Sequence, residues 1–193
     1  MIYASEARLR DAREVFFQRA GFPPDGGYDE RWIKVRYLGV PVWLPNVENR
    51  RRAVPLHDVH HILTEYPTTW RGEAEISAWE VGSGGLGRFW AGWILDLMNV
   101  AQGLVINPRG VYAAFMRGRQ TANLFGSDFN PRILDKTVGG LRSTLNLEGQ
   151  LRSSDVGDHI AFVFWTLMSV MVYLAAGFIG CMPLIAVLWL LSG

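Results

Sequence analysis

The stretch PLHDVHHILTEYPTTWRGEAE, residues 55–75, carries three of the four histidines of the 193-residue chain within five positions. Pro55 favours the first turn of a helix, and Pro67 favours its end just before that residue. Thr68 or Thr69 then caps a second helix, which folds back beside the first. The stretch therefore predicts a helix pair that sets the histidines of one helix against the carboxylates of the other.

The first helix of this pair has a polar and an apolar face, at about 100° per residue. Its apolar side chains fall in one arc: Leu56, Val59, Ile62, Leu63 and Tyr66. The opposite face carries His57, Asp58, His61 and Glu65. His60 falls apart from them, at the border of the apolar arc. Two histidines one turn apart can bind one divalent metal, and Glu73 of the second helix is the carboxylate that could complete the site. The alternative is an ordinary polar face in contact with solvent.

Further helices follow from the same start and stop signals. We predict helices over residues 5–20 and 88–104, one beginning at Asn107-Pro108, and one from Asn130-Pro131 to Leu145. Residues 32–45 alternate apolar and polar side chains and then become apolar, which indicates a small hairpin or an extended arm. The fold class is therefore all-α, a bundle of about five or six helices with a small extended or hairpin segment near 32–45.

The C-terminus has the composition of a membrane segment, because residues 160–193 contain no Asp, Glu, Lys, Arg or His. Residues 160–178 alone are long enough to cross a hydrocarbon core of about 30 Å. Three residues interrupt the run: Gly177, Gly180 and Pro183. We expect a C-terminal membrane helix or a helical hairpin that dips into the bilayer; the alternative is a buried helical hairpin of a soluble oligomer. The chain then divides into a helical metal-binding domain, 1–155, and a membrane-embedded segment, 156–193.

Charge and cysteine content limit the function classes. A formal net charge of +1 gives no strong field for nucleic acid, so a nucleic-acid partner is not expected. The single cysteine, Cys181, excludes an intrachain disulfide and a Cys-rich zinc site, so a metal here needs His and carboxylate ligands. The composition suits a reducing compartment, and we expect a membrane protein whose helical domain is cytoplasmic.

The order His57-Asp58, two residues, His61, eleven residues and Glu73 resembles the His-Asp-x-x-His-x11-Glu signature of the coenzyme Q biosynthesis family known as Coq four. The match is complete in residue type and spacing. The segments TEYPTTWRGE, MRGRQTANLF and LDKTVGGLRSTLNL are similar to further parts of that family, so the resemblance extends loosely over residues 50–147.

The resemblance implies an α-helical, membrane-associated protein that binds a divalent metal, zinc first, with iron and manganese as alternatives. Its ligands would be His57, Asp58, His61 and Glu73. The implied function is ubiquinone biosynthesis: binding of a polyprenylated quinone precursor and oxidative decarboxylation at C1 of its head group, a metal-dependent lyase or decarboxylase reaction. The implied partners are that lipid or another one, the membrane and other quinone-synthesis proteins; formation of a homo-oligomer stays open.

Four further residues are candidates for roles beside the metal. His60 and Glu65 lie close enough to the cluster on the helical wheel to transfer a proton, and the alternative for each is a hydrogen-bonded structural role. Arg117 and Arg119 could bind an anionic head group or cofactor, although arginines at helix ends commonly meet carbonyl groups. The aromatic helix around residues 90–93 offers either a surface for a prenyl tail or ordinary core.

Three other functions compete with this interpretation. His57, His60 and His61 also form the His-x-x-His-His box of membrane di-iron desaturases, but those enzymes need about eight histidines. Metal phosphohydrolases of the His-Asp class need a histidine upstream of His57, and there is none. The stronger rival is a non-enzymatic, membrane-tethered lipid-binding scaffold for quinone-synthesis enzymes, in which the metal is structural and every coordination position is filled by protein.

Overall fold

The computed structural model describes residues 2–37, 40–126 and 128–192. Its helices are α1 (Leu9–Ala20), α2 (Glu48–Thr64), α3 (Trp70–Gly82), α4 (Trp90–Ile106), α5 (Pro108–Gly118), α6 (Val138–Thr144) and α7 (Val156–Ser192). A short 3-10 helix covers Pro131–Asp135, and strands β1 (Trp32–Tyr37) and β2 (Val40–Pro45) form an antiparallel hairpin. The predicted all-α bundle with a small hairpin is confirmed, while the turn residues 38 and 39 lie outside the described part of the chain.

Helix α3 lies at the centre of the bundle, packed against α2, α4 and α5. Its Trp79 is fully buried, and the core around it is built from apolar side chains of the neighbouring helices. These include Val59, Ile62 and Leu63 of α2, Val100 of α4, and Val111 and Phe115 of α5. Because α2 and α3 both contribute to this core, the relative position of their polar faces is fixed by packing.

Helix α2 is longer than the sequence predicts, since it begins at Glu48 and contains Pro55 in its interior. Proline has no backbone N–H, so the carbonyl of Arg51 lacks its usual helical donor. The helix also ends earlier, at Thr64, because Glu65 has a left-handed backbone with φ of 65°. Glu65 therefore leaves the helical wheel on which the sequence placed it.

Helix α1 and the predicted helix that precedes α7 are both shorter than predicted. Helix α1 begins at Leu9 instead of residue 5, and the predicted helix from Asn130 to Leu145 is a 3-10 helix followed by the separate helix α6. Tertiary pairing explains both differences. The N–H of Leu9 donates to the carbonyl of Lys136, and the N–H of Val138 donates to the carbonyl of Ala7. These hydrogen bonds keep both segments in an extended conformation.

The C-terminal segment is one continuous helix, α7, so the helical hairpin considered from the sequence is not what the structure has. Its first half packs on α4 and α5: the rings of Trp93 and Trp165 stack at 4.9 Å, and Phe162 contacts Phe115 at 5.4 Å between ring centroids. Residues 156–182 are long and apolar enough to cross a membrane, and very little of this stretch is buried in the protein.

Candidate metal centre

The turn between α2 and α3 places Glu73 beside the histidines. Thr69 caps α3, because its hydroxyl accepts from the N–H of Gly72 at 3.3 Å. At Gly72 itself a Cβ atom would collide with the carbonyl oxygen of Pro67. The turn can therefore close this tightly only with glycine at this position, and it directs the next side chain, Glu73, toward α2.

Three potential ligands converge between the two helices. The Nε2 atoms of His57 and His61 lie 3.2 Å apart. The carboxylate of Glu73 has one oxygen 3.5 Å from Nε2 of His57 and the other 3.4 Å from Nε2 of His61. His61 is buried, whereas the side chains of His57 and Glu73 are 21% and 34% exposed, so a solute can reach the group.

Hydrogen bonds at the far side of each ring determine where the lone pairs point. Nδ1 of His61 lies 2.8 Å from the carbonyl oxygen of Tyr66, which can only accept, so this nitrogen carries the hydrogen. Nδ1 of His57 lies 2.9 and 3.0 Å from the two carboxylate oxygens of Glu80 and donates likewise. In the neutral form of both rings, two Nε2 lone pairs therefore face each other, and a proton or a cation between them relieves the repulsion.

The spacing of the two histidine nitrogens agrees with tetrahedral coordination. Zinc–nitrogen and zinc–oxygen bonds of about 2.0–2.2 Å put two ligand atoms roughly 3.3–3.5 Å apart. The Nε2 atoms of His57 and His61 are 3.2 Å apart, and each lies 3.5 or 3.4 Å from a different oxygen of the Glu73 carboxylate. One ligand atom from each of the three residues lies within 4.8 Å of the others. Three protein ligands leave the fourth position to water or substrate, as in catalytic zinc sites.

The charges of the site favour a bound cation. Burial raises the pKa of Glu80, but the imidazoles of His57 and His60 outweigh this effect and lower that pKa, so the carboxyl stays ionised. The pKa of Glu73 is lowered in the same way by His57 and His61. Burial lowers the pKa of His57, yet Glu80 and Glu73 together raise it well above its usual value. The two ionised glutamates place negative charge beside the ring nitrogens, which a divalent ion can balance.

Asp58 is not among the three converging ligands. Its carboxylate accepts a hydrogen bond of 2.7 Å from the hydroxyl of Tyr28, in the loop after α1. Burial is the main cause that raises the pKa of Asp58 above its ordinary value. The residue lines the same cavity as the histidines, so the structure places it beside the candidate metal position, held there by Tyr28.

His60 has two structural hydrogen bonds. Its Nε2 accepts from the N–H of Leu124 at 2.9 Å, so its Nδ1 carries the hydrogen and donates to Glu80 at 2.7 Å. The ring is fully buried between Trp79 and Phe125, and burial lowers its pKa. The neutral His60 ring, with both nitrogens in hydrogen bonds, holds the Glu80 carboxylate in place. That carboxylate in turn orients the ring of His57.

The other predicted candidates lie apart from the three ligands. Glu65 accepts from the guanidinium of Arg142 at 2.8 Å and from the N–H of Ile2 at 2.7 Å. Arg117 donates to the carbonyl of Thr64 at 3.2 Å. Arg119 pairs with Asp158 at the start of α7, at 3.0 Å. Each of these hydrogen bonds joins two segments of the chain that are far apart in the sequence.

The sequence prediction gave no role in the site to Glu80 or Asp96. Glu80 follows Glu73 by seven residues and so lies on the same face of α3, which the sequence alone indicates. Asp96 is the single charged residue of α4; it accepts from the hydroxyl of Ser77 at 3.3 Å. Burial, and then the nearby charge of Glu80, raises the pKa of Asp96 well above its usual value. His57, Glu80 and Asp96 form a second group of side chains that are close enough to share an ion.

A cavity of about 390 Å³ opens onto the three ligands. Apolar side chains from α2, α4 and the loops after α3 and α5 form much of its wall: Ala53, Val54, Leu86, Leu95, Met98 and Phe125. Lys34 of the hairpin and Arg50 of α2 add positive charge. Burial lowers the pKa of Arg50, although the charge of Asp58 opposes this. The cavity thus combines an apolar wall, cationic groups and the candidate metal position.

Comparison of the chain with protein-family models, with curated proteins and with solved structures finds no match in any of the three.

Proposed function

We propose that the chain binds a divalent metal through His57, His61 and Glu73 and uses it to hold the oxygen-bearing head group of a membrane lipid. The observation that carries the proposal is the 3.2 Å approach of the two Nε2 atoms beside the Glu73 carboxylate, with both Nδ1 atoms already engaged. A bound divalent ion would supply Lewis-acid chemistry toward a carboxylate or phenolate oxygen. Zinc fits the ligand set, and iron or manganese fits it as well.

The cavity supports a lipid with an anionic head group. Its volume of about 390 Å³ suits a single ring with its substituents. Lys34 and Arg50 can neutralise an anionic oxygen, while Leu95 and Met98 offer apolar contact. The resemblance of the His-Asp-x-x-His-x11-Glu spacing makes a polyprenylated quinone precursor our proposed ligand, with other quinone-synthesis proteins as partners.

The reaction we propose on this basis is oxidative decarboxylation at C1 of the head group. Conversion of the ring carboxylic acid to a phenol consumes dioxygen and a two-electron reductant and releases carbon dioxide and water. A metal held by His57, His61 and one oxygen of Glu73 would keep a fourth position for substrate, which favours such an enzyme over a scaffold with a structural metal. The non-enzymatic scaffold remains the second candidate, and the dense hydrogen-bonding around His60 and Glu80, typical of a rigid structural unit, favours it.

We further propose that α7 anchors the protein in a membrane, with the helical domain on the cytoplasmic side. Its apolar stretch of 27 residues, Val156–Met182, exceeds the length needed to cross the hydrocarbon core. The anchor would hold the cavity near the surface where a polyprenylated lipid resides.

Metal analysis tests this proposal directly. The full-length protein, purified in detergent without chelators, should contain about one equivalent of zinc, iron or manganese by mass spectrometry. His61→Gln and Glu73→Gln should lose it while circular dichroism shows a folded protein. His159→Gln is the matched control, because this fourth histidine lies on α7 and contacts Tyr112. Wild-type protein that takes up none of the three metals on reloading would exclude the metal site.

Metal identity and turnover then separate the two candidate functions. Release of carbon dioxide from a carboxylated, prenylated ring in the presence of dioxygen and a reductant, lost in Glu73→Gln, supports the enzyme. Zinc without turnover, together with a marked loss of thermal stability on metal removal, supports the scaffold, because zinc has no redox chemistry of its own.

A further inference from the structure

The hairpin formed by β1 and β2 has an uncovered apolar face. Cross-strand partners lie on the same face of a hairpin, and the pairs Ile33 with Leu44 and Tyr37 with Val40 belong to this one. On β2, Val40 is 61% exposed, and Val42 and Leu44 are also exposed. A surface of this kind is unfavourable in water.

The opposite face carries a different composition. Trp32 and Trp43 are both more than half exposed, and the ammonium group of Lys34 lies 5.8 Å from the ring of Trp43. Residues 31–45 contain three basic residues and no acidic one. Tryptophan beside lysine or arginine is typical of the boundary between a membrane and water, where anionic lipids attract basic groups.

Hydrogen bonds and a ring contact of the described residues hold the hairpin to the rest of the protein at its two ends, while Lys34, in its middle, lines the cavity. At its base, Asn46 donates from its side chain to the carbonyls of Tyr28 and Glu30, at 3.0 and 2.8 Å. At its tip, Tyr37 contacts α7. A two-stranded hairpin without a packed face is marginally stable in water. The exposed face of Val40, Val42 and Leu44 is therefore available to a partner outside this chain.

The contact at the tip connects the hairpin to the apolar helix. The rings of Tyr37 and Tyr173 stack at 4.6 Å between centroids, and the Tyr37 hydroxyl donates to the carbonyl of Tyr173 at 3.0 Å. A side chain at Gly177, one turn further on, would collide with this hydroxyl. Tyr173 lies 17 residues beyond the start of α7, about 26 Å along the helix axis. The hairpin thus reaches far along α7.

The part of α7 around this contact exposes large apolar side chains. Met171, Leu174 and Phe178 are each more than half exposed and follow one another at helical spacing. The stripe continues toward the start of the helix through Ile160, Val163, Phe164 and Leu167. The uncovered face of the hairpin and the uncovered stripe of α7 are therefore connected through the Tyr37–Tyr173 contact.

We propose that the hairpin is a second membrane-contacting element, with Val40, Val42 and Leu44 against lipid acyl chains and Trp32, Lys34 and Trp43 at the level of anionic headgroups. A lipid bilayer suits this surface better than a second copy of the chain, because the surface is continuous with the exposed stripe of α7 and is bordered by tryptophans beside a lysine, as at a membrane boundary. The unpaired backbone groups at the hairpin edges keep it at the membrane interface, where water can still reach them. Lys34 also lines the metal-site cavity, so the cavity mouth would lie at headgroup level.

This inference rests on the proposed membrane insertion of α7 and does not depend on the metal. To test it, we would replace the exposed Cys181 by serine and place single cysteines by Val42→Cys, Leu174→Cys and Glu14→Cys. Each is labelled with the fluorophore NBD and reconstituted as full-length protein into vesicles of phosphatidylcholine and phosphatidylglycerol. Quenching by doxyl-labelled lipid reports contact with acyl chains, and quenching by iodide reports contact with water.

The expected result is a loss of fluorescence with doxyl lipid at Val42 comparable to that at Leu174, and iodide quenching alone at Glu14, an exposed position on α1.

Quenching of Val42 by iodide but not by doxyl lipid, with Leu174 quenched by lipid, would overturn the hairpin proposal while α7 remains inserted. Protection of Val42 from both quenchers, with disulfide cross-linking of unlabelled Val42→Cys between copies, would assign the hairpin to a protein interface instead. Absence of lipid quenching at Leu174 would overturn the membrane anchor itself; none of these outcomes bears on the metal site.

Discussion

The carboxylate of Glu80 accepts hydrogen bonds from two histidines at once. It lies 2.9 Å from Nδ1 of His57 and 2.7 Å from Nδ1 of His60. It is fully buried, and both rings direct their N–H groups at it. The carboxylate therefore sets the orientation of His57 and keeps its Nε2 lone pair directed at the metal position. Carboxylates in this role typically affect metal affinity nearly as much as the ligands themselves.

Glu80→Gln should lower metal affinity by about 10- to 100-fold, because an amide is a weaker acceptor and no longer supports the basicity of His57. Zinc titration of the metal-free protein against a competing chelator measures this change. Glu14→Gln, at an exposed position on α1, is the control and should bind as wild type does. Unchanged affinity in a folded Glu80→Gln variant would mean that His57 does not bind the metal.

Gly72→Ala should disturb the turn between α2 and α3. The added Cβ would overlap the carbonyl oxygen of Pro67, and relief of that overlap has to move the start of α3 together with Glu73. We expect a loss of about 1–3 kcal/mol in the free energy of unfolding and a clear loss of metal affinity. Gly126→Ala is a matched control, since its Cβ would meet no atom within 4 Å. Thermal unfolding in detergent and metal titration of both variants measure the two effects.

The polar pair of helices could be predicted from the sequence because its signals are local. The spacing of His57 and His61 follows the helix repeat, and the threonine cap with the proline before it predicts a tight return of the second helix. The structure brings His57, His61 and Glu73 together on this basis. The all-α bundle and the small hairpin follow from equally local patterns.

The features that the sequence could not show depend on distant partners. Glu65 leaves the helical face because it pairs with Arg142, 77 positions away, and ends α2 in a left-handed conformation. Asp58 is held by Tyr28, whose loop carries no recognisable signal. The extended segments around Ala7 and Thr137 exist because each pairs with the other. A helical wheel shows the residues of one helix only, so it cannot predict these contacts between distant segments.

His60→Ala should destabilise the protein without abolishing metal binding. The substitution removes a buried ring packed between Trp79 and Phe125 and leaves the N–H of Leu124 without its acceptor. Such a change costs about 2–4 kcal/mol in the free energy of unfolding. Denaturant unfolding in detergent gives this value, and metal analysis of the folded variant should still find bound metal. A stable variant that binds metal but has lost turnover would instead assign His60 a catalytic role.

Glu65→Gln should remove one source of acid sensitivity. Burial raises the pKa of Glu65, but the N–H of Ile2 and the guanidinium of Arg142 outweigh burial and lower it. A carboxyl whose pKa is lowered by folding stabilises the folded state above its unfolded pKa of about 4.3, and this contribution disappears as the pH falls through the folded-state pKa. At pH 7 the wild type should therefore exceed Glu65→Gln by about 1 kcal/mol in the free energy of unfolding.

That difference should shrink toward zero as the pH is lowered below about 4, whereas the difference between wild type and the exposed control Glu14→Gln should stay small throughout. Parallel denaturation of the three proteins from pH 7 to pH 3 gives the comparison, and other carboxyl groups cancel because all three proteins share them. Arg142 retains the backbone carbonyls of Leu63, Ile62 and Tyr3 as acceptors in the variant, so the fold should persist. A difference that is the same at pH 7 and pH 3 would show that Glu65 contributes through packing and not through its charge.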